Sequence, residues 1–504
     1  MRRSHRSLVE EYVLEIVARC RNVRVHCDNL RTLDFVSDSP EALAHALSRV
    51  CDYLEDVATT ILGQIDWDED ESPEDDLQIL RTLDDLLHEI SARLRYVEGA
   101  TTARLPWSVI AALERLVTSL LPNAQVLLRP QWHYNYGSHV ADLRQALIQT
   151  LEAFTLTLER DVAGDVLKPI PRPFHILTFP ALERKNILLH SLLGHEIGHL
   201  LVADRANETA KQRFLQSIRT EIHSHTRAQL VPTGRVVPNY LGPEQSFLNI
   251  RNFNEAGACW QRGITELLAD VVGAALFGPA ALFSALEMAM QEGLDIAPSE
   301  KTDHYPPWRM RLRLIWQTIQ PERSAFFPVP ANAFPGTDRR SRALMINARY
   351  RLIKDLISKD SDLDALNDTP IARIVYQRLP AIISKESARL LKGPIASHKI
   401  SGPTLYGRVQ ALIDRLDNGI PPNVLAESSA KSEPAQLVDI INAAWLHKIS
   451  WVHDDFMDKP SSTSTWLQKR NRLNNLTLKA IEFSDLALSF AERKPDALSK
   501  RNTE

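Results

Sequence analysis

Cysteine is scarce in this chain: four in 504 residues, at Cys20, Cys27, Cys51 and Cys259. None belongs to a CxxC pair, so the sequence holds no disulfide framework and no cysteine-rich zinc ribbon. Reduced thiols and a cytoplasmic location are the expectation. A basic excess is lacking as well. With 59 Lys and Arg against 63 Asp and Glu, the net charge is −4, and nothing points to nucleic acid or to an anionic membrane surface. Long apolar runs are also missing. The longest, around 271–290, is broken by Gly278-Pro279 and carries Glu287, too short for a membrane span. The first twenty residues open with positive charge, as secretion signals do. Glu10, Glu11 and Glu15 interrupt the apolar stretch such a signal needs, so this segment reads as an amphipathic helix. No fixed-period repeat and no low-complexity tract is present.

What the chain does have is HEIGH, residues 195–199, inside the apolar run NILLHSLLGHEIGHLLV. The run reads as a buried helix. Residues four apart lie one turn apart on one helix face. His195 and His199 are so spaced, and two imidazoles there can share a tetrahedral Zn²⁺ at about 2.0–2.1 Å each. Glu196 is rotated about a quarter turn from His195, which suits it to face a metal-bound water. An ionised Glu between two His on an apolar helix is costly to bury without a partner, and a metal with its water would account for all three groups. The bland alternative is a core helix with two satisfied imidazoles. H-E-x-x-H is a metalloprotease signature. His190, on the same run, reads as a core residue, and the His223/His225 pair as a solvated helix end.

A second segment, GITELLADVVGAALFG (263–278), carries Glu266 and, one helical turn on, Asp270. A carboxylate from a second helix would complete a His₂Glu site with one position open to water. Asp270 could accept the spare ring N–H of a ligand histidine and fix its tautomer. Downstream, DHYPPWRMRLRLIW (303–316) contains His304, Tyr305, Arg309 and Arg311 at the start of another expected helix.

Together these segments resemble the gluzincin metallopeptidases, whose pattern is HExxH followed by ExxxD on a later helix. The resemblance spans roughly residues 173–316 and implies His195, His199 and Glu266 as zinc ligands. It implies Glu196 as the general base and Asp270 as the residue behind a ligand histidine. The His304 segment resembles the HP…R stretch of a membrane-spanning branch of these enzymes, in which a His or Arg steadies the oxyanion. That makes His304 and Tyr305, with Arg309 and Arg311, candidates for the role. Tyr305 stands between the His and the Pro, and the chain lacks that branch's membrane spans. A metzincin would need a third His at position 205, which is Arg205.

The fold expected is mainly α: a zincin-like metallopeptidase core with a small β element, flanked by helical regions. Residues 1–165 read as an antiparallel helical array, with Ser39 and Pro40 starting one helix and Pro73 another. The acidic run 66–76 lacks the Gly and closing Glu of a calcium loop and reads as solvated. VLLRPQWHYNY (126–136) suggests a short strand, and 140–160 a long helix. The core is expected over 166–325, with an insertion at 205–262 that either walls the cleft or serves as scaffolding. ILTF (176–179), just before the HEIGH helix, is expected to be a strand, either an ordinary buried one or an edge that pairs with an extended peptide. The Pro-rich stretch 326–338 marks a boundary, and 339–504 reads as a helical C-terminal region. The function expected is zinc-dependent hydrolysis of peptide bonds in a protein or peptide substrate. The helical flanks would select that substrate or hold a protein partner. Two alternatives stay open: a non-catalytic helical interaction or regulatory protein with a structural zinc, and a zinc hydrolase acting on a non-peptide amide.

Overall fold

The structure, a computed structural model, describes residues 2–64, 73–102, 106–122, 124–143, 145, 174–230, 243–294, 304–320, 326–330, 339–358, 366, 369–393, 395–427, 432–458 and 463–501. The chain is mainly helical and divides into two compact units, Met1–Arg184 and Lys185–Glu504. Among the described residues no helix is long and apolar enough to cross a membrane. The acidic run up to residue 72, most of the helix expected over 140–160, and residues 331–338 of the Pro-rich stretch lie outside the described residues.

The first unit begins with α1 (Arg2–Leu30), α2 (Ser39–Gln64) and α3 (Pro73–Gly99), which pack on one another. Their buried residues recur at three and four: Val9, Val13, Ile16 and Cys20 on α1, Leu43, Leu47, Val50 and Leu54 on α2, Leu80, Leu83, Leu87 and Ile90 on α3. That spacing puts one apolar stripe of each helix into a common core. After α4 (Trp107–Leu120) come β1 (Gln125–Gln131), β2 (Gly137–Ala141) and β3 (Phe174–Pro180). These form one sheet in the order β1-β3-β2, with Leu127 and His139 both registered on Ile176, the first parallel and the second antiparallel. Here the structure separates the two readings of ILTF and favours the ordinary buried strand over the peptide-pairing edge. The ILTF strand is the central strand, with a neighbour bonded along each edge, so it offers no free edge to a peptide. Its burial at every position but His175 suits a strand covered on both faces.

In the second unit a 3-10 segment (Ile187–Leu192) leads into α5 (Leu193–Val202), the HEIGH helix. Next come α6 (Glu208–Ser217), α7 (Arg219–Leu230), α8 (Pro243–Phe277) and α9 (Pro279–Glu292). α8 ends at Gly278, which adopts φ +56°, and Pro279 opens α9. The expected insertion at 205–262 is thus in part the first half of α8, with α6 and α7 packed along it. Residues 231–242 of it lie outside the described residues.

The chain continues through α10 (Trp308–Ile319), α11 (Arg339–Ile357), α12 (Pro370–Leu390), α13 (Gly402–Asp417), the small pair β4 (Val424–Glu427) and β5 (Ser432–Pro434), α14 (Leu437–Asp458) and α15 (Thr463–Arg501). These helices share a compact unit with α5 and α8. Asn442 of α14 shows how. Its side chain donates to the carbonyl of Phe277 at 2.9 Å and accepts from the amide of Ala280 at 3.0 Å, so it satisfies both sides of the break between α8 and α9. One turn on, the Trp445 indole donates to the carbonyl of Leu188 at 3.0 Å, holding the turn that leads into α5.

Candidate metal centre

α5 and α8 run antiparallel and in close contact. The Cβ that an alanine would add at Gly198 would lie 2.7 Å from both Cα and O of Ala269, and one at Gly273 would lie 3.0 Å from the amide nitrogen of His195. Small residues at these two levels let the backbones approach. The approach matters because His195 and His199 on α5 and Asp270 and Glu266 on α8 then meet across the seam.

The meeting is specific. Nε2 of His195 and Nε2 of His199 are 3.0 Å apart. The Glu266 carboxylate faces both, with Oε2 3.3 Å from the first and Oε1 3.6 Å from the second. Nδ1 of His195 lies 2.8 Å from Oδ1 of Asp270. Asp270 is in turn gripped at both oxygens by Arg311 of α10, from Nε at 2.8 Å and Nη2 at 2.9 Å. The same Nη2 lies 3.4 Å from Oε2 of Glu266. Glu196 is buried and offers an oxygen within 4.8 Å of both histidines.

This donor set fits a metal ion. Ligand atoms about 2.0–2.1 Å from a tetrahedral zinc stand about 3.3–3.4 Å apart; the two Nε2 atoms are 3.0 Å apart, and the Glu266 carboxylate brings one oxygen to 3.3 Å from the first and its other oxygen to 3.6 Å from the second. With Nδ1 of His195 donating to Asp270, its Nε2 presents a lone pair to Nε2 of His199. Two lone pairs at 3.0 Å repel unless a proton or a cation lies between them. Burial opposes the charge on His195, but Asp270 and Glu266 outweigh it and raise its pKa. Burial and the charge of His195 push His199 down. Burial would raise Glu266 and Asp270, yet the surrounding His and Arg charges hold both below the usual carboxylate range.

The His304 segment divides in two. His304 adopts φ +58°, unusual for a non-glycine residue, and its carbonyl accepts a hydrogen bond from the hydroxyl of Tyr376. Among the described residues its imidazole has no hydrogen-bond or ion-pair partner. Tyr305 lies nearer the centre. Burial raises its phenol pKa and the charges of Glu266 and Glu196 add to the rise, so the hydroxyl keeps its proton as a donor.

The three arginines of α10, Arg309, Arg311 and Arg313, each have partners within the fold. Arg311 is committed to Asp270. Arg309 bonds the carbonyl of Leu356 and Arg313 that of Ile357, which caps carbonyls left open at the end of α11. A further group was not singled out in the sequence: Arg262, one turn before Glu266, has Nη1 3.5 Å from Oε1 of that residue and its guanidinium 4.5 Å from the centre of the Tyr305 ring. The spacing of four to Glu266 was its only signal.

No protein-family model matches the chain, and neither does any curated protein or solved structure.

Proposed function

We propose that this protein is a zinc-dependent metallopeptidase with a zincin-like core on a mainly helical scaffold. The observation that carries the reading is the convergence of His195 Nε2, His199 Nε2 and the Glu266 carboxylate, with contacts of 3.0 to 3.6 Å, backed by the 2.8 Å contact of His195 Nδ1 with Asp270. A His₂Glu set with a carboxylate behind a ligand histidine is the donor chemistry of catalytic zinc sites, which keep one position open. Sites that only staple a fold are usually closed and rich in Cys, and this donor set contains no Cys.

A zinc ion held by His195, His199 and Glu266 would polarise the scissile carbonyl and acidify a water molecule. The remaining steps belong to the chain's own residues. Asp270 keeps the His195 ring oriented and its tautomer fixed, and Arg311 keeps Asp270 ionised. Glu196, on the ligand helix but off the ligand face, accepts the proton of the attacking water and delivers it to the leaving amine nitrogen. The protonated Tyr305 hydroxyl is a donor for the oxygen of the tetrahedral intermediate.

Elemental mass spectrometry of the purified protein tests the metal, with His195→Ala and Glu266→Ala beside it. About one zinc per chain, lost or loosened in both variants, supports the site. Digestion of a peptide library, with Glu196→Gln as the control, tests the reaction. Stoichiometric zinc with no cleavage of any peptide would favour a structural zinc or a non-peptide amide substrate.

A further inference from the structure

Residues 262, 266 and 270 fall on one face of α8, one turn apart, and exposure falls along that line. The Arg262 side chain is 35% exposed, whereas those of Glu266 and Asp270 are each 3% exposed. α5 repeats the gradient, with His199 at 20% and His195 at 14%. The centre therefore has a floor, where Asp270 and Arg311 close it, and a mouth, where His199 and Arg262 meet solvent. Each oxygen of Glu266 faces one guanidinium: Arg311 at 3.4 Å on the floor side and Arg262 at 3.5 Å on the mouth side. The floor arginine is fixed by its bidentate contact with Asp270. The mouth arginine lies over the Tyr305 ring, which limits where its fork can point.

We propose that Arg262 is a further catalytic residue: its guanidinium binds the anionic oxygen that develops on the substrate's scissile carbonyl. This rests on the metallopeptidase reading above. Were an ion held by His195, His199 and Glu266, a group bound at its remaining position would lie beside Glu266, because all ligands of one tetrahedral ion are neighbours. A cation 3.5 Å from that carboxylate and facing the mouth is within a short side-chain adjustment of it. An always-charged planar fork stabilises a forming oxyanion without giving up a proton. Arg262 thus joins Tyr305, over whose ring it lies, in serving that oxygen, while Arg311 on the floor side holds Asp270, the partner of His195.

The test needs no substrate. The full-length protein, stripped of metal and reconstituted with Co²⁺, is titrated with inorganic phosphate while the visible cobalt absorption is followed, in wild type, Arg262→Met and Arg262→Lys. The expected result is unchanged cobalt affinity in all three, with phosphate affinity falling about tenfold or more in Arg262→Met and less in Arg262→Lys, as loss of a charge-assisted hydrogen bond implies. Equal phosphate affinity in wild type and Arg262→Met, or a wild-type centre that takes no phosphate, overturns the proposal. So does a cobalt affinity that collapses in Arg262→Met, which would make Arg262 a support for Glu266. A wild-type protein that binds no cobalt sinks the metal centre itself, a separate result read before phosphate is added.

Discussion

The Oδ1 atom of Asp270 stands 2.8 Å from Nδ1 of His195, and both oxygens of the same carboxylate are held by Arg311. Asp270 thus joins a buried guanidinium to the imidazole of a proposed zinc ligand. Replacing it with Ala should weaken zinc binding by about 10–100-fold, the usual effect of losing the group behind a metal ligand. It also leaves the buried Arg311 without its main partner, a loss of about 3–5 kcal/mol in comparable pairs. Competition with a chelator of known affinity measures the first and thermal unfolding the second; wild-type values in both would refute the role.

Glu196→Gln separates binding from turnover. The amide keeps the side chain's shape, so zinc content should stay near one per chain. Without a base, turnover should fall by about 10²–10⁴-fold. A variant that still cleaves at the wild-type rate would remove Glu196 from the reaction.

Gly198→Ala tests whether helix spacing controls the centre. The new methyl group would meet the α8 backbone at Ala269, so α8 must move and Glu266 and Asp270 with it. A destabilisation of about 1–3 kcal/mol is expected from such overpacking, together with weaker zinc binding. Gly407→Ala on α13 is the control, since a Cβ there meets nothing within 4 Å; a helix-interior alanine should be neutral or stabilise by up to about 1 kcal/mol. Thermal unfolding with zinc titration of both variants decides the matter; equal behaviour would mean the seam tolerates widening.

These tests rest on residues that differ in how plainly the sequence announced them. The HEIGH spacing and the Glu266/Asp270 pair lie within single helices, where a count of four is enough to place side chains on one face. Whether the two helices meet depends on Gly198 opposite Ala269 and Gly273 opposite His195, and a lone glycine in an apolar helix gives little sign of what faces it. Arg309 and Arg311 show the same limit. They are two residues apart on α10, yet one reaches the end of α11 and the other Asp270, a difference set by neighbours distant in sequence. The ILTF segment was legible as a strand, but an apolar run does not tell a central strand from an edge. Arg262 carries no mark in the sequence, because a basic residue four before a Glu is ordinary on any helix surface.

Acid stability should depend on a group far along the chain from the candidate centre. Burial would raise the Asp417 pKa, but His447, with Nδ1 3.2 Å away, and Arg342, bidentate at 2.8 and 2.9 Å, lower it from 3.8 to about 2. A carboxylate whose folded pKa is depressed contributes stability that is complete above its unfolded pKa. That contribution is lost as pH falls through the folded one. The Asp417 contribution should therefore be intact above about pH 4 and vanish toward pH 2. Asp417→Asn should destabilise the protein at pH 7 and flatten this part of the acid limb, as followed by denaturant unfolding at several pH values. A parallel downward shift of the whole curve would exclude the linkage.

The bonds from Asn442 and Trp445 bear on modularity. A segment cut at the Pro-rich stretch near 326–338 would carry every proposed ligand, yet it would leave the joint between α8 and α9 and the turn before α5 without the groups that close them. The heritable unit is therefore much longer than the motif: two short signatures some sixty residues apart depend on a helix that begins at Leu437. Transplanting the signatures alone into another helical protein would move the letters and leave the geometry behind.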